Sequence, residues 1–272
     1  MKKKRAIIKK AARWSFTAVA GASTIAGVLG YSIKDLKPSW PWWLWSLILL
    51  IAFTVLFLFS LLIIIKCKHR PYTTEISKIT VRIKIGDLFA EPQWKVIPFN
   101  ERFDTEIDDK IIVHSSLNGI MIDKYVDDLE DLRNTIKSAL NENSKYKPQE
   151  SNGNLVYPLG RLIEYKDFLM LSFTHFDNQN RAHIGIGEYE QMLMRMWDEL
   201  RRVYAGKPIA IPLIGAGITT IKGMPEKNYT EMLKCILCTL RKSGFQPEKG
   251  ISIVLTEDVM EKVDMNIIKE EF

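Results

Sequence analysis

Residues 208–223, PIAIPLIGAGITTIKG, set an apolar run against two closely spaced glycines and a pair of adjacent hydroxyls. Gly215 and Gly217 let backbone N–H groups approach a ligand with no Cβ in the way, and Thr219 and Thr220 add hydroxyl donors. With Ala216 and Ile218 between them, they form a loop suited to a phosphate or pyrophosphate. It is not a Walker loop, because no Gly-Lys-Ser/Thr follows, nor does it carry the glycine spacing of a Rossmann first turn. Taken alone, Gly-Ala-Gly also fits an ordinary tight turn.

Polar groups also gather at the ends of other apolar runs. ISKITVRIKIGDLF alternates through Ile79, Val81, Ile83 and Ile85 into Gly86, Asp87 and Leu88, while WKVIPF runs into Asn100 and Asp104. IIVHSSLNGIMI offers Ser115, Ser116 and Asn118-Gly119 as loop-like features. Cys235 and Cys238 form a C-x-x-C, but they lie in the apolar run MLKCILCTL with no second pair to complete a zinc site. With Cys67 the count is odd, which favours reduced, buried thiols over a disulfide framework. None of His69, His114, His175 and His183 makes a metal-spaced pair. His175, at the end of FLMLSFTH, is the one expected near a pocket mouth. No metal or resident cofactor is expected.

The elements that must position these groups follow from periodicity. Period-two alternation predicts a strand at 79–85; short strands follow at 94–99 and 110–113, and apolar strands at 168–173, 208–212 and 251–255. Helical spacing predicts helices at 125–140, through Tyr189, Met192, Leu193, Met196, Trp197, Leu200 and Val203, and through Tyr229, Met232, Leu233, Ile236, Leu237 and Leu240. Residues 141–154, NENSKYKPQESNGN, read as an exposed loop. The second half thus alternates strand, helix, strand, helix, strand, which implies right-handed crossovers and a largely parallel sheet with helices on its faces. The glycine loop then lies at the C-terminal end of its strand, where open α/β sheets bind ligands.

The formal charge of +6 is unevenly distributed. Of 38 Lys/Arg and 32 Asp/Glu, 12 and 1 respectively lie in residues 1–70, leaving 26 and 31 beyond, a net of −5. A mildly acidic globular part excludes a basic groove for a nucleic-acid backbone.

Residues 40–65 contain no charge, and as a helix would extend about 39 Å against a hydrocarbon core of about 30 Å. Trp40, Trp42, Trp43 and Trp45 suit the headgroup interface, and KCKHR follows the other end. Residues 14–33 form a second uncharged stretch of about 30 Å, with Ala18, Ala22, Ala26 and Gly30 recurring every four residues. Such a stripe suits close helix packing in lipid, either within a hairpin or between chains. Ala18-Val19-Ala20 also resembles a signal-peptide cleavage site, but the apolar stretch before it is short. Lys/Arg cluster in the first 13 residues and at 66–70, so both ends face the cytoplasm. The expected organisation is a two-helix anchor (about 14–33 and 40–65) in residues 1–70 and a cytoplasmic domain over 71–272.

IKIGDLF, VIPFNERFDT and IPLIGAGITT, in that order, resemble the ADP-ribose-binding macro domains. The resemblance spans roughly residues 77–272 and implies a three-layer α/β/α fold with a mixed, largely parallel sheet. It makes Asp87, beside Leu88, the adenine contact, Asn100 with Asp104 the distal-ribose loop, and Gly215, Ala216, Gly217 and Ile218 the diphosphate loop. The glycine-rich loop that usually follows the Asn is replaced by IIVHSSLNGIMI, where Gly119 is the nearest counterpart. Hydrolytic macro domains need both loops to place a water, so the resemblance implies a binding site and no catalytic residue. Behind a membrane anchor, the chain is similar to the macro-domain effectors of bacterial Thoeris anti-phage systems. That similarity implies an ADP-ribose-derived signal, such as an amino-acid conjugate, made from NAD by a partner TIR-domain enzyme. It further implies a homo-oligomer acting on the bacterial cell membrane, with no nucleic-acid partner. A membrane-tethered ADP-ribosyl hydrolase and a passive ADP-ribose-binding tether are the alternatives.

Overall fold

The computed structural model describes residues 2–28, 41–68, 70–92, 94–107, 112–141, 144–151, 154–177, 179, 181–224 and 226–272. They form two compact units, Met1–Arg70 and Pro71–Phe272.

The first unit is a pair of helices, α1 (Lys2–Val28) and α2 (Trp42–Lys68). The side chains of Ala11 and Ser15 are buried, and Ser15 Oγ lies 3.4 Å from Ser60 Oγ across the pair. The hydroxyls of Thr17, Ser23, Thr24 and Thr54 each donate to the carbonyl four residues earlier, which satisfies them without water. Among the described residues one helical stretch, Ser46–Ile63 of α2, is long and apolar enough to cross a membrane. The expected first span does not meet that measure in α1, whose N-terminal turns are charged, and residues 29–33 of that span lie outside the described residues.

The second unit is built on a nine-stranded sheet in the order β1 (Tyr72–Ile76), β2 (Ile79–Ile85), β11 (Ile251–Leu255), β9 (Ile209–Pro212), β3 (Lys95–Asn100), β7 (Phe168–Phe176), β8 (Ala182–Gly185), β10 (Thr220–Lys222), with β6 (Leu162–Tyr165) also paired to β7. The central strands β2, β11, β9, β3 and β7 are parallel, as are β8 and β10; β1, β6 and the β7–β8 pairing are antiparallel. The sheet is therefore mixed, with a parallel centre.

Because side chains alternate across a strand, neighbouring residues feed two different cores. Val96, Leu169, Leu171, Ile209, Ile211 and Ile253 face α5 (Ile186–Val203) and α6 (Tyr229–Ser243), with Trp197 Nε1 donating to Thr239 Oγ1 between these helices. Ile97, Met170, Ala210 and Val254 face α3 (Leu117–Tyr125) and α4 (Leu129–Ser138). The result is three layers, helices on both faces of the sheet. Two short helices, α7 (Glu257–Met260) and α8 (Met265–Glu271), complete the chain.

Local structure departs from expectation at several points. The helix expected over 125–140 begins at Leu129, because Asp128 accepts from the Glu130 N–H and caps its start, and Tyr125 is the last residue of α3. Ser116 caps α3, so LNGIMI is helical and not a loop. The expected strand at 110–113 lies largely in residues outside the described ones; its described residue Ile112 makes only an isolated bridge with Ile107. The loop over 141–154 contributes β4 (Gln149–Ser151), paired with β5 (Asn154–Val156), and a buried Ser144 whose hydroxyl donates to Glu199.

Candidate ligand-binding site

Since β2, β3, β7 and β9 are parallel, the segments that follow them leave the sheet at the same edge. This is what gathers the Asp87, Asn100 and Gly215 loops, which are far apart in sequence.

The loop after β9 is held from below. Ile214 is buried, and its carbonyl accepts from the Tyr189 hydroxyl at 2.8 Å; complete burial raises the pKa of that phenol, keeping it a donor. The Ala216 N–H closes a turn on the Leu213 carbonyl. Gly215 has φ +89°, and a Cβ there would lie 2.8 Å from Met232 Cε and 3.3 Å from Ile221 Cδ1. Only glycine satisfies that conformation and that space. Around Gly217, by contrast, a Cβ meets nothing within 4 Å, so its freedom faces outward. Ile218 is 78 % exposed at the tip. Thr219 is buried, and Thr220 begins β10 opposite His183 of β8.

At the end of β2, the Gly86 N–H is tied to the Leu255 carbonyl, and exposed Asp87 accepts from the Phe89 N–H, capping a 3-10 turn over Leu88–Ala90. Leu88 is buried. Phe89 stacks on Tyr125 of α3 with ring centroids 5.1 Å apart.

At the end of β3, Asn100 is buried and already engaged. Its Oδ1 accepts from the N–H groups of Arg102 and Asp104, and its Nδ2 donates to Asp104 Oδ2 at 2.7 Å. Asn100 and Asp104 thus organise their own tight turn, in which Phe103 takes φ +54°. Gly119 is held by its own helix. It is buried in the first turn of α3, its N–H given to Ser116 Oγ, and a Cβ there would lie 2.3 Å from the Val113 carbonyl oxygen.

Sequence reading missed a charged cluster beside these loops. His175, at the end of β7, bonds Glu101 through Nδ1 and approaches Glu188 Oε1 at 3.3 Å through Nε2. Glu188 Oε2 also accepts the Gly185 N–H at the start of α5. The bond to Glu101 raises the His175 pKa against the opposing effect of burial, and the Gly185 N–H lowers that of Glu188. The imidazole of His183 lies 5.9 Å from that of His175. His175 was recognisable by its place at a strand end, whereas its two carboxylate partners come from distant segments. Among the described residues, no group of His, Cys, Asp or Glu is arranged to hold a metal ion.

A parallel-centred sheet between two helical layers, with a glycine loop and two polar loops at one edge, is the architecture of a macro-type domain. The sequence model of the family described as "Thoeris protein ThsA, Macro domain" matches residues 81–256. The Thoeris protein ThsA of Bacillus amyloliquefaciens (strain Y2) is 33 % identical over 211 residues, covering 73 % of this chain and 69 % of that protein. The chain belongs to the ThsA macro-domain family. Among solved structures it is similar to the Oceanobacillus iheyensis macrodomain with ADP (15 % identity, 75 % of this chain and 98 % of that one, TM-score 0.47) and to the same macrodomain with MES bound (15 %, 75 % and 100 %, TM-score 0.46).

Proposed function

We propose that this protein is a membrane-anchored anti-phage effector whose macro domain senses an ADP-ribose-derived signal. The reading rests on one conjunction: a ThsA-type macro domain with three loops at one sheet edge lies on the same chain as an apolar helix of bilayer length. Adenine belongs at Asp87 and Leu88, the diphosphate at the backbone of Gly215–Ile218, and the distal ribose beside the Asn100–Asp104 turn. The Glu101–His175–Glu188 cluster faces the group carried beyond the ribose, an amino acid such as histidine. The signal is made from NAD by a TIR-domain partner enzyme. In this reading α1 packs on α2 within the membrane, and both ends of the anchor lie in the cytoplasm of a bacterial cell.

The chain acts without turnover in this reading. Asn100 already commits its Oδ1 and one Nδ2–H to its own loop, and the other water-placing loop is replaced by a helix. Ligand drives assembly because the oligomer binds it more tightly, and the assembled helices disrupt the membrane. The test is calorimetry on the full chain in nanodiscs with ADP-ribose and its amino-acid conjugates, followed by mass spectrometry of the ligand and sizing of the complex. Tight binding, unchanged ligand and a larger assembly are expected; cleaved ligand would make the protein a hydrolase, and binding without assembly a passive tether.

A further inference from the structure

The glycine loop has a neighbour that its sequence does not announce. Lys227, just ahead of α6, is half-buried, and its ammonium donates to the Gly217 carbonyl at the centre of the loop. The other charge acting on it is Lys262, from the turn after α7. The Lys262 ammonium lies 5.0 Å from the ring centroid of Tyr229, the first residue of α6. Burial first, and then the like charge of Lys262, lower the pKa of Lys227. Like charges that repel one another are stabilised by an anion that joins them. The nearest place for one is the loop that Lys227 already touches.

We infer that Lys227 and Lys262 read the charge of the ligand at the glycine loop. Lys227 moves its ammonium from the Gly217 carbonyl to a non-bridging oxygen of the diphosphate, and Lys262 adds attraction from behind it. The backbone N–H groups of the loop alone would hold one phosphate nearly as well as two. The lysine pair makes the site prefer a diphosphate over a monophosphate or a neutral nucleoside. A compact ammonium suits this role, because it can leave one acceptor for another without the fixed geometry of a guanidinium.

The inference rests on the loop being a diphosphate cradle, and the experiment separates the two. The full chain in nanodiscs is titrated with ADP-ribose, AMP and adenosine, for wild type, Lys227→Met, Lys227→Arg and Lys262→Met, with melting temperatures as a folding control. Lys227→Met should lose roughly ten- to hundredfold in affinity for ADP-ribose, the range for a hydrogen bond to a charged group. Adenosine binding should stay within about twofold, and Lys227→Arg, which keeps the charge but not the compact ammonium, should recover only part of the loss. Lys262→Met should lose severalfold and show a flatter dependence on salt. Equal affinities in wild type and variants would overturn the inference and leave the binding site standing. Loss of adenosine binding in parallel with ADP-ribose would make Lys227 a latch for the loop, which also overturns it. No binding of ADP-ribose by the wild type would remove the cradle itself.

Discussion

The two glycines of the loop should fail in opposite ways. At Gly215, alanine meets φ +89°, a left-handed conformation costing an L-residue about 1–2 kcal/mol. Its Cβ would also press on Met232 Cε at 2.8 Å, with Ile221 and Phe173 close behind. Met232 is buried but flexible, so the added crowding falls near the low end of the 1–3 kcal/mol typical of overpacking. The sum is about 2–4 kcal/mol, which for a domain of this size lowers Tm by roughly 5–15 °C. At Gly217 there is no such φ and no atom within 4 Å, so alanine should change Tm by only a degree or two. Gly217→Val, equally well folded, should lose ADP-ribose binding, because its branched side chain occupies the ligand's approach. Thermal melting of the full chain in detergent, followed by calorimetry, reads both effects. A Gly215→Ala protein that melts with the wild type would refute the conformational argument. A folded Gly217→Val protein with wild-type affinity would place the ligand elsewhere.

Asp87→Ala should weaken binding of any adenine-containing ligand and cost about 1 kcal/mol through the lost cap on Phe89; Asp87→Asn, which keeps an acceptor, separates the two in a binding and melting series. Because the His175 pKa is raised, its ion contacts contribute fully below the ordinary value of 6.5 and fade as pH rises through the raised value. The Tm difference between wild type and His175→Ala should therefore shrink between pH 6 and pH 9, and a difference that grows would refute the assignment. Unchanged affinity for an amino-acid conjugate in the same variant would remove His175 from the ligand's far end. Glu199→Ala should destabilise by about 3–5 kcal/mol, since it strands the buried Arg161 guanidinium and leaves the Ser144 hydroxyl without its acceptor; denaturant melts measure it. Ala18→Leu with Ala22→Leu, both on the exposed side of α1, should block assembly in nanodiscs without altering ligand affinity, and normal assembly would dismiss the small-residue stripe.

Sequence alone determined the elements whose signal is local. The alternation of Ile79, Val81, Ile83 and Ile85 and the stripes through Met192–Val203 and Met232–Leu240 specify strands and helices, because each residue's face follows from its own neighbours in the chain. The charge-free run at 40–65 was equally plain, since bilayer thickness is a one-dimensional demand on length and composition. The caps at Ser116 and Asp128 were also present in the sequence, as a hydroxyl and a carboxylate before helical residues, but the weak apolar spacing around them hid the helix boundaries. Tertiary structure decided the rest. The sheet order puts β8 beside β10, and with it His183 opposite Thr220, through pairings of distant short strands that carry no periodic signal. It closed Asn100 onto Asp104, gathered Glu101, His175 and Glu188 from three segments, and brought Lys227 to the Gly217 carbonyl. These are contacts between side chains and backbone that meet only when the chain has folded, so no spacing in the sequence encodes them.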